Sequence, residues 1–433
     1  MHPKYLFLGA TVLFAQAFPS AAQLTAQPLI SGPTTQQQIP STGVALTLEE
    51  AVAKALAANA GLRATALDVA IAEGARRQAG LFRNPEVSFV REGTQRGTRT
   101  QTVQLSQVLE LGGKRSARIN LAERERSLAA GNLSVARTDL RAEVTSAYFD
   151  ALSAQERVQI AQVSLDVASK ASFAAERRVA AGRVSPVEQD RSGVALSTAR
   201  LELSQAQSEL SIALLTLAAY WGETVAVSRP LVAPGLDLAP VPSLNELQQR
   251  LDSSPQMRRA RLQVEREEAQ VGVDRSQRIP DVTLIVGSKK DDQIGRSQTV
   301  LGVSVPLPLF NRNQGSLQAS LSRAEKARTE LEAERLRLNQ SLASAYQRTQ
   351  LYREQVRTMR DDVLPRAQRV FDAAVTGFEA GKFSFLDVLD AQRTLLQIRT
   401  QYIQAQFDRY RAAADLGRFV DADSTTPNNR IAP

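Results

Sequence analysis

The chain has 433 residues, a formal net charge of +8, no cysteine and one histidine, His2. This composition excludes disulfides, Cys- or His-based catalysis, and the usual ligand sets for soft or borderline metals. Basic residues alternate with acids along helical stretches and do not cluster with aromatics. We therefore expect no nucleic-acid partner, no cofactor, no resident metal and no enzymatic activity.

The first 22 residues have the features of a signal peptide. An apolar run from Tyr5 to Phe18 precedes the small residues Ser20-Ala21-Ala22, and it is too short to span a bilayer as a helix. We expect an exported protein whose residues 23–45 are flexible and, without a cysteine, carry no lipid anchor. No later stretch has 18 continuous apolar residues, so a membrane crossing would have to use β-strands.

A helix, a hairpin and a pair of long helices follow in that order. The first helix begins with Thr47 as N-cap and runs to about Phe82, where a proline follows. Alternating residues over 86–109 predict a hairpin with its turn at Gly93–Arg99. The run after Lys114 is rich in good helix formers, and about 65 residues of helix would reach about 100 Å. A rod that long must pack against other rods.

The same order of elements occurs twice, at an offset of about 195–199 residues. Ser146-Ala147-Tyr148 recurs as Ser344-Ala345-Tyr346, and the break at Gly182–Ser185 recurs at Gly381–Ser384. Leucines spaced by seven residues, such as Leu196 and Leu203, predict a coiled-coil seam after the break. A repeat that preserves the order of all elements indicates an internal duplication.

The predicted organisation comprises two repeats, a linker and two flexible ends. It reads as follows: 1–22 signal peptide; 23–45 flexible segment; 46–222 first repeat with hairpin 86–109 and long helices 114–219; 223–242 linker; 243–420 second repeat with hairpin 281–305 and long helices 314–418; 421–433 flexible tail.

Two hairpins supply four strands of about ten residues, the length of a tilted transmembrane strand. Four strands cannot close a barrel, and an open edge in hydrocarbon would leave backbone groups unpaired. If the hairpins lie in a membrane, several chains must therefore share one barrel. The alternative is a soluble four-stranded sheet in each chain.

Three motifs resemble the TolC-type outer-membrane efflux family, over about Leu46 to Val420. They are LSQVLELGGKR after the first hairpin, VSVPLPLFNRNQG after the second, and AGKFSFLDVLDAQRTL at the late helix break. The two turns after the hairpins are most similar to the heavy-metal branch, which serves cobalt–zinc–cadmium and nickel–cobalt resistance pumps.

The resemblance implies a mainly α fold with a small membrane β part. Long antiparallel coiled-coil helices would form an α-barrel tunnel in the periplasm, and a homotrimer would share a twelve-stranded β-barrel in the Gram-negative outer membrane. It implies a periplasmic adaptor and an inner-membrane proton-driven pump as partners, with heavy-metal cations as cargo. A channel for drugs or secreted proteins, a periplasmic adaptor and a structural coiled-coil protein of the envelope are the alternatives.

Asp387 and Asp390 lie three residues apart and share a helix face. The resemblance implies that aspartates at these positions ring the periplasmic entrance of the channel. Glu188 and Arg191 occupy the matching positions of the first repeat and are candidates for counter-charges that hold the entrance shut. The alternative is a capping cluster in which Ser384 or Asp387 caps a new helix.

The two turns between the long helices are candidates for docking the adaptor. The residues are Gly182, Arg183, Val184, Ser185, Gly381, Lys382, Phe383 and Ser384.

Overall fold

A computed structural model describes residues 45–93, 97–233, 241–380 and 382–419. The helices and strands, in chain order, are α1 Leu48–Ala58, α2 Ala60–Ala79, β1 Glu86–Glu92, β2 Thr100–Leu109, α3 Lys114–Ala180, α4 Pro186–Ala219, α5 Leu244–Leu251, α6 Pro255–Ser276, β3 Val282–Asp291, β4 Arg296–Ser304, α7 Gln314–Thr358, a π-helical turn Met359–Val363, α8 Leu364–Glu379 and α9 Phe385–Gly417. The predicted signal peptide, almost all of segment 23–45, the tail 421–433, Gly381 and part of the linker lie outside the described residues.

The first predicted helix is divided in two at Asn59. Its side chain accepts a hydrogen bond from the Leu62 N–H at 2.9 Å and donates to the Tyr220 carbonyl at 2.8 Å, which ends α1 and begins α2. α1 and α2 meet at a bend of 47°. Across the described part of the chain, no single helix is long and apolar enough to span a membrane. Among these residues, only α1 and α2 taken together have that length and apolarity, and they are bent.

The second repeat carries one residue more than the first in its long helix. The offset between repeats is 198 residues at Tyr148 and Tyr346, and 199 residues at the N-caps Ser185 and Ser384. α3 is continuous between the two points, whereas the second repeat contains the π-helical turn, in which the Leu364 N–H donates to the Met359 carbonyl. A π-turn is how an α-helix takes in one extra residue, and Pro365 is the second residue after it.

Small residues form the seams between the long helices. The predicted leucine seam of α4 is only partly right, because Ser192, Ala199 and Ala206, again spaced by seven, are more deeply buried than most of its leucines. α3 shows the same heptad spacing in five buried alanines: Ala147, Ala154, Ala161, Ala168 and Ala175. Small side chains at the contact let neighbouring helices approach closely along the whole length of a long seam.

A hydrophobic core lies where the chain segments before α1 and after α4 cross α3. Leu46 and Leu231 form a short parallel bridge, and the Tyr148 hydroxyl contacts the Leu46 and Val232 carbonyls at 2.8 Å each. Phe149 stacks on Tyr410 of α9 with ring centroids 4.5 Å apart. This stacking joins α3 of the first repeat to α9 of the second. We call the Leu46–Leu231–Tyr148 contact the clamp.

Candidate functional site

The two hairpins form one antiparallel sheet in the order β1-β2-β3-β4. The register places Val87, Leu105, Val286 and Leu301 in one cross-strand row. The neighbouring rows on this face hold Phe89 with Val103 and Leu284 with Val303. The opposite face holds Ser88, Gln104, Thr102 and Ser106 in its rows, together with the apolar Val90, Ile285 and Val300. The sheet therefore has one apolar and one largely polar face.

Burial on the sheet is the reverse of that in a water-soluble protein. The apolar side chains are exposed, from 43% at Leu105 to 78% at Leu301. On the polar face, Thr102 is 9% exposed, and Gln104 and Ser106 are partly buried. An exposed apolar patch of this size marks a surface that meets another apolar phase or another protein.

The apolar face continues to the base of the sheet, where the strands lead into helices. Phe82, Leu111, Leu307 and Phe310 are exposed there, Phe310 by 91%. From Val103 to Leu111, two residues past the end of β2, the extended chain covers at most about 26 Å, or about 20 Å along the membrane normal at a tilt of about 40°. This height is near that of the apolar band of outer-membrane barrels, about 25 Å.

The base of the sheet is held by ion pairs between distant parts of the sequence. The Lys114 ammonium lies 2.6 Å from the Asp281 carboxylate, with both side chains less than a fifth exposed. Glu110, directly after β2, pairs with Arg118 of α3 and with Arg83. Gly112, with φ +69°, lies so close to Ile279 that a Cβ would overlap its side chain. The glycine turn of the first repeat thus packs on the second repeat.

At the opposite end of the helices lie the α3–α4 turn and the α8–α9 turn. The Arg178 guanidinium near the end of α3 lies over the Phe378 ring near the end of α8, 4.1 Å from its centroid. The two turns are thus neighbours within one chain. The residues predicted to dock an adaptor occupy these turns and are mostly exposed: Gly182, Arg183, Val184, Ser185, Lys382, Phe383 and Ser384.

Asp387 and Asp390 lie in the first turns of α9 and line one groove between α8 and α9. The groove has a volume of about 670 Å³, and Asp362 of the π-turn and Arg366 of α8 also line it. Asp362 and Arg366 form an ion pair. The carboxylates of Asp387 and Asp390 have no ion-pair partner among the described residues, so the groove carries excess negative charge.

Asp387 also closes the capping box at the start of α9, where Ser384 is the N-cap. The Ser384 hydroxyl and backbone N–H each donate to the Asp387 carboxylate at 2.8 Å, and the Asp387 N–H donates back to the Ser384 hydroxyl at 3.3 Å. The hydrogen bond from the Ser384 side chain, and then the one from its backbone, lowers the pKa of Asp387. The carboxylate therefore stays charged at neutral and mildly acidic pH.

Glu188 and Arg191 lie in the first turns of α4, in the helical pair α3–α4 of the first repeat. Glu188 is partly buried and Arg191 is exposed. Neither lines the groove, and within the described part of one chain no ion pair joins them to Asp387 or Asp390. The role of Glu188 and Arg191 as counter-charges stays a prediction.

Sequence reasoning missed the π-turn and the packing of Phe383. A Cβ at Gly377 would overlap the Phe383 ring, and the Gly377 carbonyl accepts hydrogen bonds from Lys382 and Phe383. The change of offset from 198 to 199 residues was the available signal for the π-turn. No group of three or more His, Cys, Asp or Glu side chains with metal-binding geometry occurs in the residues that the structure covers.

Comparison with known proteins agrees with this geometry. The family described as "Outer membrane efflux protein" matches residues 51–223 and 247–420, one match for each half of the chain. The cobalt-zinc-cadmium resistance protein CzcC of Cupriavidus metallidurans is 43% identical over 377 residues, which cover 87% of this chain and 90% of CzcC. The nickel-cobalt-cadmium resistance protein NccC of Alcaligenes xylosoxydans xylosoxydans is 29% identical, over 57% of this chain and 56% of NccC.

The fold is shared with solved channel structures. A crystal structure of CusC has a TM-score of 0.74, at 19% identity, over 86% of this chain and 91% of that chain. The predicted fold class, the internal repeat and the resemblance to the heavy-metal branch are confirmed. The chain therefore belongs to the outer membrane efflux protein family.

Proposed function

We propose that this outer membrane efflux protein is the trimeric exit duct of a three-part pump for divalent metal cations. Its family membership makes it an outer-membrane channel and not an enzyme, as its sequence predicted. The observation that carries the proposal is the sheet whose apolar face is exposed and whose polar face is shielded.

The sheet supports the trimer through its two free edges. In the sheet formed by the described residues, β1 and β4 each pair on one side only. In hydrocarbon an unpaired edge costs several kcal/mol for each backbone group. Pairing β4 of one chain with β1 of the next removes both edges, and three chains supply twelve strands around a polar lumen.

The helical end supports an entrance that meets an adaptor. A threefold axis near the α8–α9 groove would bring six carboxylates together, one Asp387 and one Asp390 from each chain, and we call this arrangement the entrance ring. Such a ring attracts cations and repels itself. The exposed α3–α4 and α8–α9 turns would dock a periplasmic adaptor, which links the duct to an inner-membrane proton-driven pump.

Metal cations are the proposed cargo because CzcC and NccC are named for cobalt, zinc, cadmium and nickel resistance. Without cysteine, and with its one histidine at position 2, this chain offers no usual ligand set for these ions. The duct is therefore passive, and selection of the metal belongs to the pump.

Leu301→Arg and Gln104→Arg together test which face of the sheet contacts the lipid. Leu301 lies on the exposed apolar face and Gln104 on the shielded polar face. We expect Leu301→Arg to lower the yield of heat-modifiable trimer, because a midplane arginine on the lipid face costs about 2–4 kcal/mol. Gln104→Arg should insert normally and change conductance. Equal tolerance of both substitutions would contradict the proposed orientation.

Deletion of the gene, followed by growth on cobalt, zinc, cadmium or nickel and on a drug panel, tests the cargo. We expect sensitivity to one or more of the metals and unchanged drug tolerance. Sensitivity to the drugs alone would refute metal efflux and favour the alternative of a multidrug channel.

A further inference from the structure

The apolar face of the sheet ends in a cationic row near the hairpin turns. The row after Phe89 and Val103 consists of Arg91, Gln101, Lys290 and Ser297. Arg91 and Lys290 are exposed, and neither has an ion-pair partner in the residues that the structure describes. Arg99 lies two residues beyond Gln101 towards the turn, on the same face by the alternation of the strand, and stands opposite Asp292, whose N–H donates to the Arg99 carbonyl at 3.0 Å.

Charge is segregated between the two faces of the hairpin ends. On the polar face, Glu92, Asp291, Lys289 and Arg296 occupy the last two rows, so acids and bases balance. On the apolar face the row of Arg91 and Lys290 carries two cations and no acid, and one row further towards the turn Arg99 stands opposite Asp292. If these charges served only to keep the hairpin ends soluble, the excess positive charge would not be confined to one face, directly beside the apolar rows.

The spacing of the two cations suits one phosphorylated headgroup. Arg91 and Lys290 are two strands apart in one row, or about 10 Å between Cα atoms. Their side chains are long and flexible, so both heads can reach the same group. Arginine binds phosphate through two parallel N–H donors, and lysine binds it as a point charge.

We propose that Arg91 and Lys290 bind the phosphate groups of a lipid in the outer leaflet. The inference rests on the proposed function, since it requires the apolar face to lie in the membrane with the hairpin turns away from the periplasmic helices. Arg91 and Lys290 then lie at headgroup depth, where each cation near an anionic surface stabilises binding. In a trimer this pair of cations occurs three times around the outer end of the barrel.

The test compares two double variants with the same change of charge. Arg91→Gln with Lys290→Gln removes two cations from the apolar face, and Lys289→Gln with Arg296→Gln removes two from the polar face. Binding of diphosphorylated lipid A to the purified trimer is measured by native mass spectrometry. We expect the first variant to bind about 30-fold more weakly, which corresponds to about 1 kcal/mol for each cation. The second variant should bind within about threefold of the wild type.

Two further arms identify the source of the phosphate. In the first, wild-type protein should prefer diphosphorylated lipid A over its dephosphorylated form. In the second, inorganic phosphate at equal concentration should not displace the lipid, because only the lipid also contacts the apolar rows. Displacement by inorganic phosphate, equal binding of the dephosphorylated lipid, or equal losses in both variants would each overturn the proposal. The preference of the wild type decides the matter if the first variant fails to assemble.

Conductance in planar bilayers separates this inference from the function on which it rests. Wild-type protein that forms pores but shows no preference for phosphorylated lipid refutes the lipid site alone. Wild-type protein that never inserts refutes the proposed function, and the lipid site with it.

Discussion

Tyr148→Phe should loosen the clamp without disturbing the packing around it. Tyr148 is fully buried, and its hydroxyl accepts a hydrogen bond from the Val232 N–H at 3.2 Å and contacts two carbonyls. A hydroxyl donates one hydrogen bond, so the substitution removes one donated and one accepted bond. The Val232 N–H keeps only a longer contact of 3.4 Å to the Leu46 carbonyl.

The expected cost is about 1–2 kcal/mol, because Leu46 is buried but the Val232 residue is partly open to water. Amide hydrogen exchange of segments 45–47 and 230–232 measures this cost directly, as a local opening free energy. We expect exchange there to accelerate about 5- to 30-fold. Exchange within about twofold of the wild type would refute the idea that the hydroxyl holds these segments.

Tyr346→Phe is the matched control, because Tyr346 occupies the same position in the second repeat. It is partly buried, and its hydroxyl has no hydrogen-bond partner in the described residues. We expect little change of exchange in either repeat. An equal effect of both substitutions would mean that loss of the hydroxyl acts through something other than the clamp.

Burial raises the pKa of Tyr148 to about 12, above its ordinary value of about 10. Because the folded pKa is the higher one, the contribution of this group to stability is complete below about pH 10. It is lost as the pH rises from about 10 to about 12, since the unfolded state ionises first. The stability difference between wild type and Tyr148→Phe should therefore be constant below about pH 10 and narrow above it. A difference that stays constant up to about pH 12 would contradict this assignment.

Three other predictions concern the entrance and the turns. Asp390→Asn should lower the cation selectivity of the pore in planar bilayers. Ser384→Ala, which removes the α9 cap and costs about 1 kcal/mol of stability, should leave the selectivity unchanged. If only Ser384→Ala changed the selectivity, the groove would be a capping structure only. Gly113→Ala should destabilise the protein by about 1–2 kcal/mol in denaturant unfolding, because Gly113 has φ +71°. Gly113→Asn should cost less, since Asn313 adopts φ +56° at the N-cap of α7, and equal costs would count against backbone strain. Deletion of Asp361 should convert the π-turn to α-helix, keep the trimer, and slow exchange at 359–363; a deletion that abolishes assembly would contradict the one-residue insertion.

Short-range chemistry made the elements predictable. Hydrophobic alternation marks the hairpins, helix formers mark the long helices, and the glycines and prolines between them mark the breaks. These signals act within a few residues of the chain, so they are readable without a structure. The duplication made the order of elements predictable as well, and motif similarity then led to the family.

The sequence by itself determined the elements, their repetition and the alternation of each strand. The tertiary structure decided which copy of a motif acquires a role. Tyr148 and Tyr346 stand in the same Ser-Ala-Tyr motif, yet of the two, as far as the chain is described, only Tyr148 contacts the segments before α1 and after α4, which close the clamp. The Lys114–Asp281 ion pair joins residues 167 positions apart. Contacts of this kind depend on the meeting of distant segments, for which a local pattern carries no signal, and so only the folded chain reveals them.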